Sequence, residues 1–341
     1  MSAGMLAAAQ PLPRSPQRME RIMTTLAKYR TRLPQLSPDR VFLTDGGMET
    51  TLIFHEGLEL PLFMAFPLLK DADGLAHIRG YYQRYCRMAR DAGLGFVLES
   101  PTWRANLDWA ARIDYSSQAL ADVNRKAIDL MVEMREQFET PRSPMVISGN
   151  IGPRGDGYIP GQMMSARQAE DYHAEQIGVF KNTAADMVSA FTLNYANEAV
   201  GVARAAKAAG MPVVISFTVE TDGRLPTGQT LKDAIAEVDT ESSAAPAYYM
   251  LNCAHPTHFA DTLATSGLWI KRLRGLRANA SKRSHAELET MTDLDIGDPI
   301  ELGRQYAELR RKFRHLSVLG GCCGTDHRHV QQIALACQPV T

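Results

Sequence analysis

Three of the chain's five cysteines have a spacing that could do chemistry. Cys322 and Cys323 sit side by side in "LGGCCGTD", residues 319–326, and Cys253 follows an asparagine in "LNCAHP", residues 251–256. Adjacent cysteines rarely pair with each other, because disulfide geometry asks for a wider Cα separation than neighbours comfortably give. The flanking glycines imply a tight turn and the close approach of another group. Three readings are open: a metal site, a reactive vicinal thiol pair, or ordinary buried cysteines. Soft thiolates favour zinc over magnesium or calcium, and three protein ligands leave a fourth position for substrate, the pattern of a catalytic site. The spacing is not a tandem C-x-x-C, so on its own it does not select among the three.

The elements that must position these thiols are read from periodicity. Apolar runs at 41–47, 94–103, 144–153, 186–193, 211–220, 244–253 and 315–321 predict strands, and a further strand falls within 269–281. Continuous rather than alternating apolar residues suit strands buried on both faces of a parallel sheet. Helical patterns fill the gaps. Leu120, Val123, Ala127, Leu130, Met134 and Phe138 recur at intervals of three and four. The Ala-rich stretch 199–212 runs into Gly210 and Pro212, a stop signal. Asp298, Pro299 and Glu301 have the order of N-cap, first-turn proline and capping box. Strand–helix alternation of this kind predicts an α/β fold, a (β/α)8 barrel or a doubly wound sheet, and the length fits the barrel as a single domain. In a barrel, chemistry sits at the C-terminal ends of strands. Asp45, Glu99, Asn150, Glu220, Asn252, Cys253 and the Cys322–Cys323 pair all fall there, and one intervening strand brings the three thiols to a common mouth.

Composition narrows the function class. With 341 residues, 45% apolar content and a net charge of −1, the chain has material for a large core and no basic excess to bind nucleic acid or an anionic membrane. No apolar run reaches the roughly 18 residues of a membrane helix. An odd number of scattered cysteines does not read as a secreted disulfide framework, so a reducing, cytoplasmic compartment is expected. Residues 1–38 stand apart, with six basic residues and Glu20 as the single acid. They are expected to form a peripheral extension before a barrel over 39–341. Within it, a surface helix around Met19–Arg32, an upstream start with Met19 or Met23 as the true one, or an organelle-targeting segment are the alternatives.

The motifs "FLTDGGMETTL", "SGNIGPRGDGY", "SFTVETDGRLPTGQTL", "LNCAHP" and "LGGCCGTDHRHV" occur in order at the expected strand ends. Together they resemble the homocysteine S-methyltransferase family, over roughly residues 40–336. The resemblance implies a (β/α)8 barrel with a zinc ion held by Cys253, Cys322 and Cys323. It also implies methyl transfer from a sulfonium or ammonium donor to homocysteine or a related thiol. Zinc would keep the acceptor sulfur deprotonated, which a free thiol with pKa near 8.5 is not at neutral pH. The partners would be a small thiol and a small methyl donor. Asp45 matches the family acid that helps hold the substrate amino group, and its plain structural alternative is a turn-forming aspartate. Asn279 falls where the family has an asparagine after strand seven, although the segment around it departs from the pattern. His173 matches the family but sits mid-helix and is expected to be structural. His255, His327 and His329 are expected to be loop or helix residues rather than a fourth ligand.

One departure bears on the substrate. A gapless match puts Phe191 where the family commonly ends strand four in a glutamate that pairs with the substrate ammonium. Glu99 or Glu220 could substitute for it, or the substrate lacks that amino group. Two further functions stay open: a zinc- and thiol-binding module that presents the thiol to a separate methyl carrier, and a redox protein using Cys322 and Cys323. No Gly-x-Gly-x-Gly follows the first strand, so a Rossmann-type adenosylmethionine site is not indicated.

Overall fold

The computed structural model describes residues 27–265 and 267–338. Eight strands, each parallel to the next, close into a barrel in sequence order. They are β1 (Phe42–Leu43), β2 (Gly95–Glu99), β3 (Met145–Ile151), β4 (Met187–Leu193), β5 (Val213–Phe217), β6 (Pro246–Asn252), β7 (Leu273–Ala278) and β8 (Val318–Gly321). Closure comes from β1 pairing β8, with Phe42 opposite Val318 and Leu43 opposite Leu319. Nearly every strand residue is buried, as it must be where helices cover the outside and side chains fill the inside. The expected strands are all present, shorter than their apolar runs because the run ends turn into loops. The strand sought within 269–281 is β7.

The helices are α1 (Ala72–Ala92), α2 (Leu107–Ala111), α3 (Ser117–Phe138), α4 (Ala166–Lys181), α5 (Ala196–Ala209), α6 (Leu231–Ser242), α7 (Pro256–Ala264), α8 (His285–Glu289), α9 (Pro299–Lys312) and α10 (His327–Ala336). Their ends follow local chemistry. Asp71, Ser116 and Ser165 cap α1, α3 and α4 by accepting from backbone N–H groups. Gly210 ends α5 in the left-handed conformation, φ 69°. Asp298 caps α9 as expected, but Glu301 does not reach back to complete a box; it binds Lys282 Nζ at 2.8 Å instead. A local motif lost there to a better-charged partner from a neighbouring loop. No described helix is long and apolar enough to cross a membrane.

The barrel interior is plugged below the mouth by Phe42, Val97, Val146, Met187, Val214, Tyr248, Met250 and Val318, with Leu33 packed among them. Leu33 and the fully buried Gln35 come from the segment expected to be peripheral. Residues 27–36 therefore form a strap across the closed end, because the plug needs an apolar cover there. Arg30 donates to the carbonyls of Lys181, Thr183 and Ala185. Tyr29 N donates to Asp186 at 2.6 Å, and Arg135 and Ile147 N hold the same carboxylate at 2.9 Å each. The helix expected around Met19–Arg32 lies mostly outside the described residues, and 28–32 are turn and bend.

Asp186→Ala strands the buried Arg135 charge and frees the strap, so it should lower unfolding stability by about 3–5 kcal/mol. Urea denaturation checks this. A loss under about 1 kcal/mol would mean that the carboxylate does not anchor the closed end.

Candidate active site

The C-terminal ends of β6 and β8 carry the cysteines. Cys253 follows β6 with φ 55°, a left-handed backbone that costs a non-glycine residue of order 1 kcal/mol or more. Asn252 holds the chain there. Its Oδ1 accepts from Thr192 N at 2.9 Å and Ser216 Oγ at 2.6 Å, and its Nδ2 donates to Thr192 Oγ1 at 2.8 Å. One amide thus ties the ends of β4 and β5 to β6. The Cys322–Cys323 loop is held from both sides, with Cys322 N donating to Ala278 O at 2.8 Å and Ala280 N donating to Cys323 O at 3.0 Å. The glycines around it serve close packing. A Cβ on Gly320 would lie 1.9 Å from Thr44 Oγ1, and one on Gly47 would lie 2.7 Å from Cys322 O.

The three sulfurs lie within 4.8 Å of one another. Cys253 and Cys322 are joined as a disulfide, and Cys323 Sγ is 3.8 Å from Cys253 Sγ. Tyr158 OH lies 3.4 Å from the Cys253 sulfur and 3.5 Å from that of Cys323. The remaining cysteines are elsewhere: Cys86 is buried in α1 and Cys337 just beyond α10.

The sulfurs line a cavity of about 620 Å³ that also takes in Asp45, Glu99, Glu220 and Asn279. All the expected site residues therefore meet in one place. Asn279 Nδ2 donates to Cys253 O at 3.1 Å, and its buried Oδ1 has no partner. Glu220 stands at the rim, its Oε1 3.3 Å from His285 Nδ1. Glu99 lies deeper, with Oε1 accepting from Ser189 Oγ at 3.1 Å and Oε2 buried without a partner. Burial pushes its pKa up to about 7 against the pull of Arg277.

Asp45 is engaged within the protein. Its Oδ1 accepts from Arg277 Nη1 at 2.6 Å and its Oδ2 from Tyr81 OH at 2.8 Å. Arg277, from β7, also donates to Gly321 O and Gly46 O, and its guanidinium lies 5.1 Å from the Phe191 ring centroid. Burial pulls the Arg277 pKa down, but Asp45 and Glu99 outweigh it and hold it above the usual arginine value. Sequence reasoning missed Arg277, although its place in "LRANA", two residues before Asn279, marks it as inward-pointing by the period of two. Tyr158 was passed over as well; only the fold brings its loop to the sulfurs.

Among the described residues no histidine joins the cluster of three sulfurs. His173 bonds Glu198 at 3.0 Å in the helical layer. His255 caps α7, and His329 bonds Asp326 and Ile296 O in α10. His255 and His329 are buried rather than solvated, because each satisfies backbone groups at a helix start.

The segment that departs from the expected motif, after Asn279, forms a wall of this cavity through His285, Leu288, Met291 and Asp295. Ser281 Oγ donates to Asp295 Oδ2 at 2.7 Å and pins the loop. A sequence profile of the homocysteine S-methyltransferase family matches residues 42–337. The chain belongs to that family. Among curated relatives of the family member, methionine synthase from Mycobacterium leprae (strain TN) is 25% identical over 328 residues, covering 91% of this chain and 25% of that protein. The chain thus spans about a quarter of that relative's length. Among solved structures, the homocysteine methyltransferase MmuM from Escherichia coli is similar in its metallated form, with a TM-score of 0.66 at 17% identity over 87% of this chain and 96% of that one. Its oxidized form gives a TM-score of 0.69 at 17% identity over 90% and 99%. At such identity the likeness shows a shared barrel fold.

The Glu99 environment has a pH signature. The fold keeps its proton up to about pH 7, whereas an unfolded chain releases it near 4.5. The folded state holds more protons between those values, so stability falls as pH rises through that window. Glu99→Gln should remove this slope and raise stability at pH 8, relative to pH 5, by about 3 kcal/mol. Denaturation midpoints at both pH values test it, and parallel slopes for variant and wild type would mean that Glu99 is ionised throughout.

Proposed function

We propose that this family member transfers a methyl group from a cationic sulfonium or ammonium donor to homocysteine or a related thiol, with zinc held by Cys253, Cys322 and Cys323. The observation that carries the reading is the convergence of three sulfurs, from two strand ends, on one cavity at the barrel mouth. The residues fit zinc. Two thiolates on one tetrahedral zinc, each at about 2.3 Å, lie about 3.8 Å apart. Cys253 and Cys323 have that 3.8 Å separation, and no fourth protein ligand joins the trio among the described residues. The metal-holding form is the reduced one, with the Cys253–Cys322 bond opened. Bound zinc would supply a deprotonated, nucleophilic acceptor sulfur at neutral pH.

The chain's own residues would do the rest. Tyr158 OH stands beside two of the sulfurs and can donate to them, tempering their negative charge. Glu49, Asp156, Glu220, Glu289, Asp293 and Asp295 line the same cavity and would draw a cationic donor into it. Methyl transfer from a cation to a thiolate neutralises both charges, so a dry cavity favours the reaction. Asp45, Glu99 and Asn279 are proposed to shape the acceptor pocket, Asp45 by holding Arg277. A module presenting the thiol to a separate methyl carrier is the alternative reading, since the chain matches a segment of a much longer methionine synthase.

Reduced protein should take up one zinc ion per chain. Cys253→Ser should lower bound zinc and abolish methyl transfer, while Cys86→Ser and Cys337→Ser leave zinc unchanged. Metal analysis reads the first part. Mass spectrometry of the thiol after incubation with S-methylmethionine, adenosylmethionine or betaine reads the second. Full zinc and activity in Cys253→Ser would overturn the site. Zinc binding without turnover of any small donor would favour the presenting module.

Asp45→Asn should weaken acceptor binding by about tenfold or more while leaving zinc content near one per chain, because its bond runs to Arg277 rather than to a sulfur. Loss of zinc with acceptor affinity intact would reverse that assignment.

A further inference from the structure

The acceptor end of the cavity holds a buried cation to which the methyl transfer itself assigns no ligand. Arg277 is 9% exposed and lines the cavity. Of the five N–H groups of a guanidinium, three have acceptors: Asp45 Oδ1, Gly46 O and Gly321 O. The other two have none among the described residues. A guanidinium with free N–H groups beside a cavity is a carboxylate receptor, since charge-assisted bonds are the strong ones and the fork geometry matches two oxygens. An ammonium finds no free partner in this pair: Asp45 and Arg277 match each other's charge at 2.6 Å, and the second Asp45 oxygen accepts from Tyr81. On the β4 side the neighbour is the Phe191 ring, which offers no counter-charge.

Resting on the reading of this cavity as a thiol-acceptor site, we infer that Arg277 is a specificity-determining residue that selects an acceptor thiol bearing a carboxylate and no adjacent ammonium, that is, a mercaptocarboxylic acid. Glu99 also faces Arg277. Burial holds its pKa at about 7, so it is about half protonated there, and an incoming carboxylate on the guanidinium would raise it further and be met by the protonated form. The rim acids lie with the donor, so the two substrates would be sorted by charge: a cation at the mouth, an anion at the arginine.

Isothermal titration calorimetry of reduced, zinc-loaded full-length protein tests this without any donor. Three thiols of one chain length serve as probes: homocysteine, 4-mercaptobutanoate, which is homocysteine without its amino group, and 4-mercaptobutan-1-ol. The mercaptocarboxylate should bind about tenfold or more tighter than homocysteine. Arg277→Met should remove that advantage while changing affinity for the neutral alcohol less than about threefold. Should Arg277→Met fail to fold, Phe191→Glu serves, because a carboxylate set against the guanidinium consumes its charge. It should weaken the mercaptocarboxylate and strengthen homocysteine. Equal or tighter homocysteine binding in wild type, or a uniform loss for all three thiols in Arg277→Met, overturns the inference. The broader reading fails separately: if the mercaptocarboxylate binds as stated but no thiol is methylated by any cationic donor, the transferase reading falls and the selectivity of Arg277 stands.

Discussion

The buried pair between Asp45 and Arg277 is the constraint around which the mouth of the barrel is arranged. An arginine inside a barrel is costly to desolvate unless its charge is met and its N–H groups are bonded. Asp45 meets the charge, and the carbonyls of Gly46 and Gly321 take two more N–H groups. Those partners come from the end of β1 and the end of β8, while Arg277 itself stands on β7. One side chain therefore fixes three neighbouring strand ends relative to one another. The Cys322–Cys323 loop begins one residue after Gly321, so the placement of two of the three sulfurs follows from it. The glycines of this corner are the steric side of the same arrangement, since the β1 and β8 loops approach too closely for a Cβ on Gly47 or Gly320.

A second network does for Cys253 what this one does for the pair. Asn252 satisfies backbone and hydroxyl groups of β4 and β5, and this holds Cys253 in a backbone region that non-glycine residues avoid. The irregular end of β4 belongs to it, because Thr192, also at positive φ, is one of its partners. Phe191 precedes that residue and presents its ring to Arg277. The identity of residue 191 is thus coupled to that of residue 277. A glutamate at 191 would compete with Asp45 for the guanidinium, whereas the phenyl ring, 5.1 Å away, takes none of its N–H groups.

At the other end of the barrel the strategy is apolar. The interior below the mouth is filled by side chains from seven of the eight strands, and Leu33 and Gln35 close it from the strap. This keeps water from reaching the charged layer from beneath, so the electrostatic interactions above act in a medium of low polarity. The strap in turn is fastened to the β3 and β4 starts through Asp186, another buried carboxylate shared among several donors.

The order of strands and helices was determined by the sequence itself, because hydrophobic periodicity and end signals are local. The run 117–138 is helical over its whole predicted length, and Gly210 ends α5 where its stop signal stands. The three thiols and the four polar candidates were legible too, since chemistry in a barrel collects at strand ends and those ends could be located. Tertiary structure alone decided which of them face one another. That Asp45 is spent on Arg277, 232 positions away in the chain, follows from barrel closure and appears in no local pattern. The same holds for Tyr158 beside the sulfurs, for Glu99 turned inward to Ser189, and for residues 27–36 recruited as a floor. Periodicity reports which face a residue occupies; the partner it meets there is set by register and closure, which act between residues far apart in sequence.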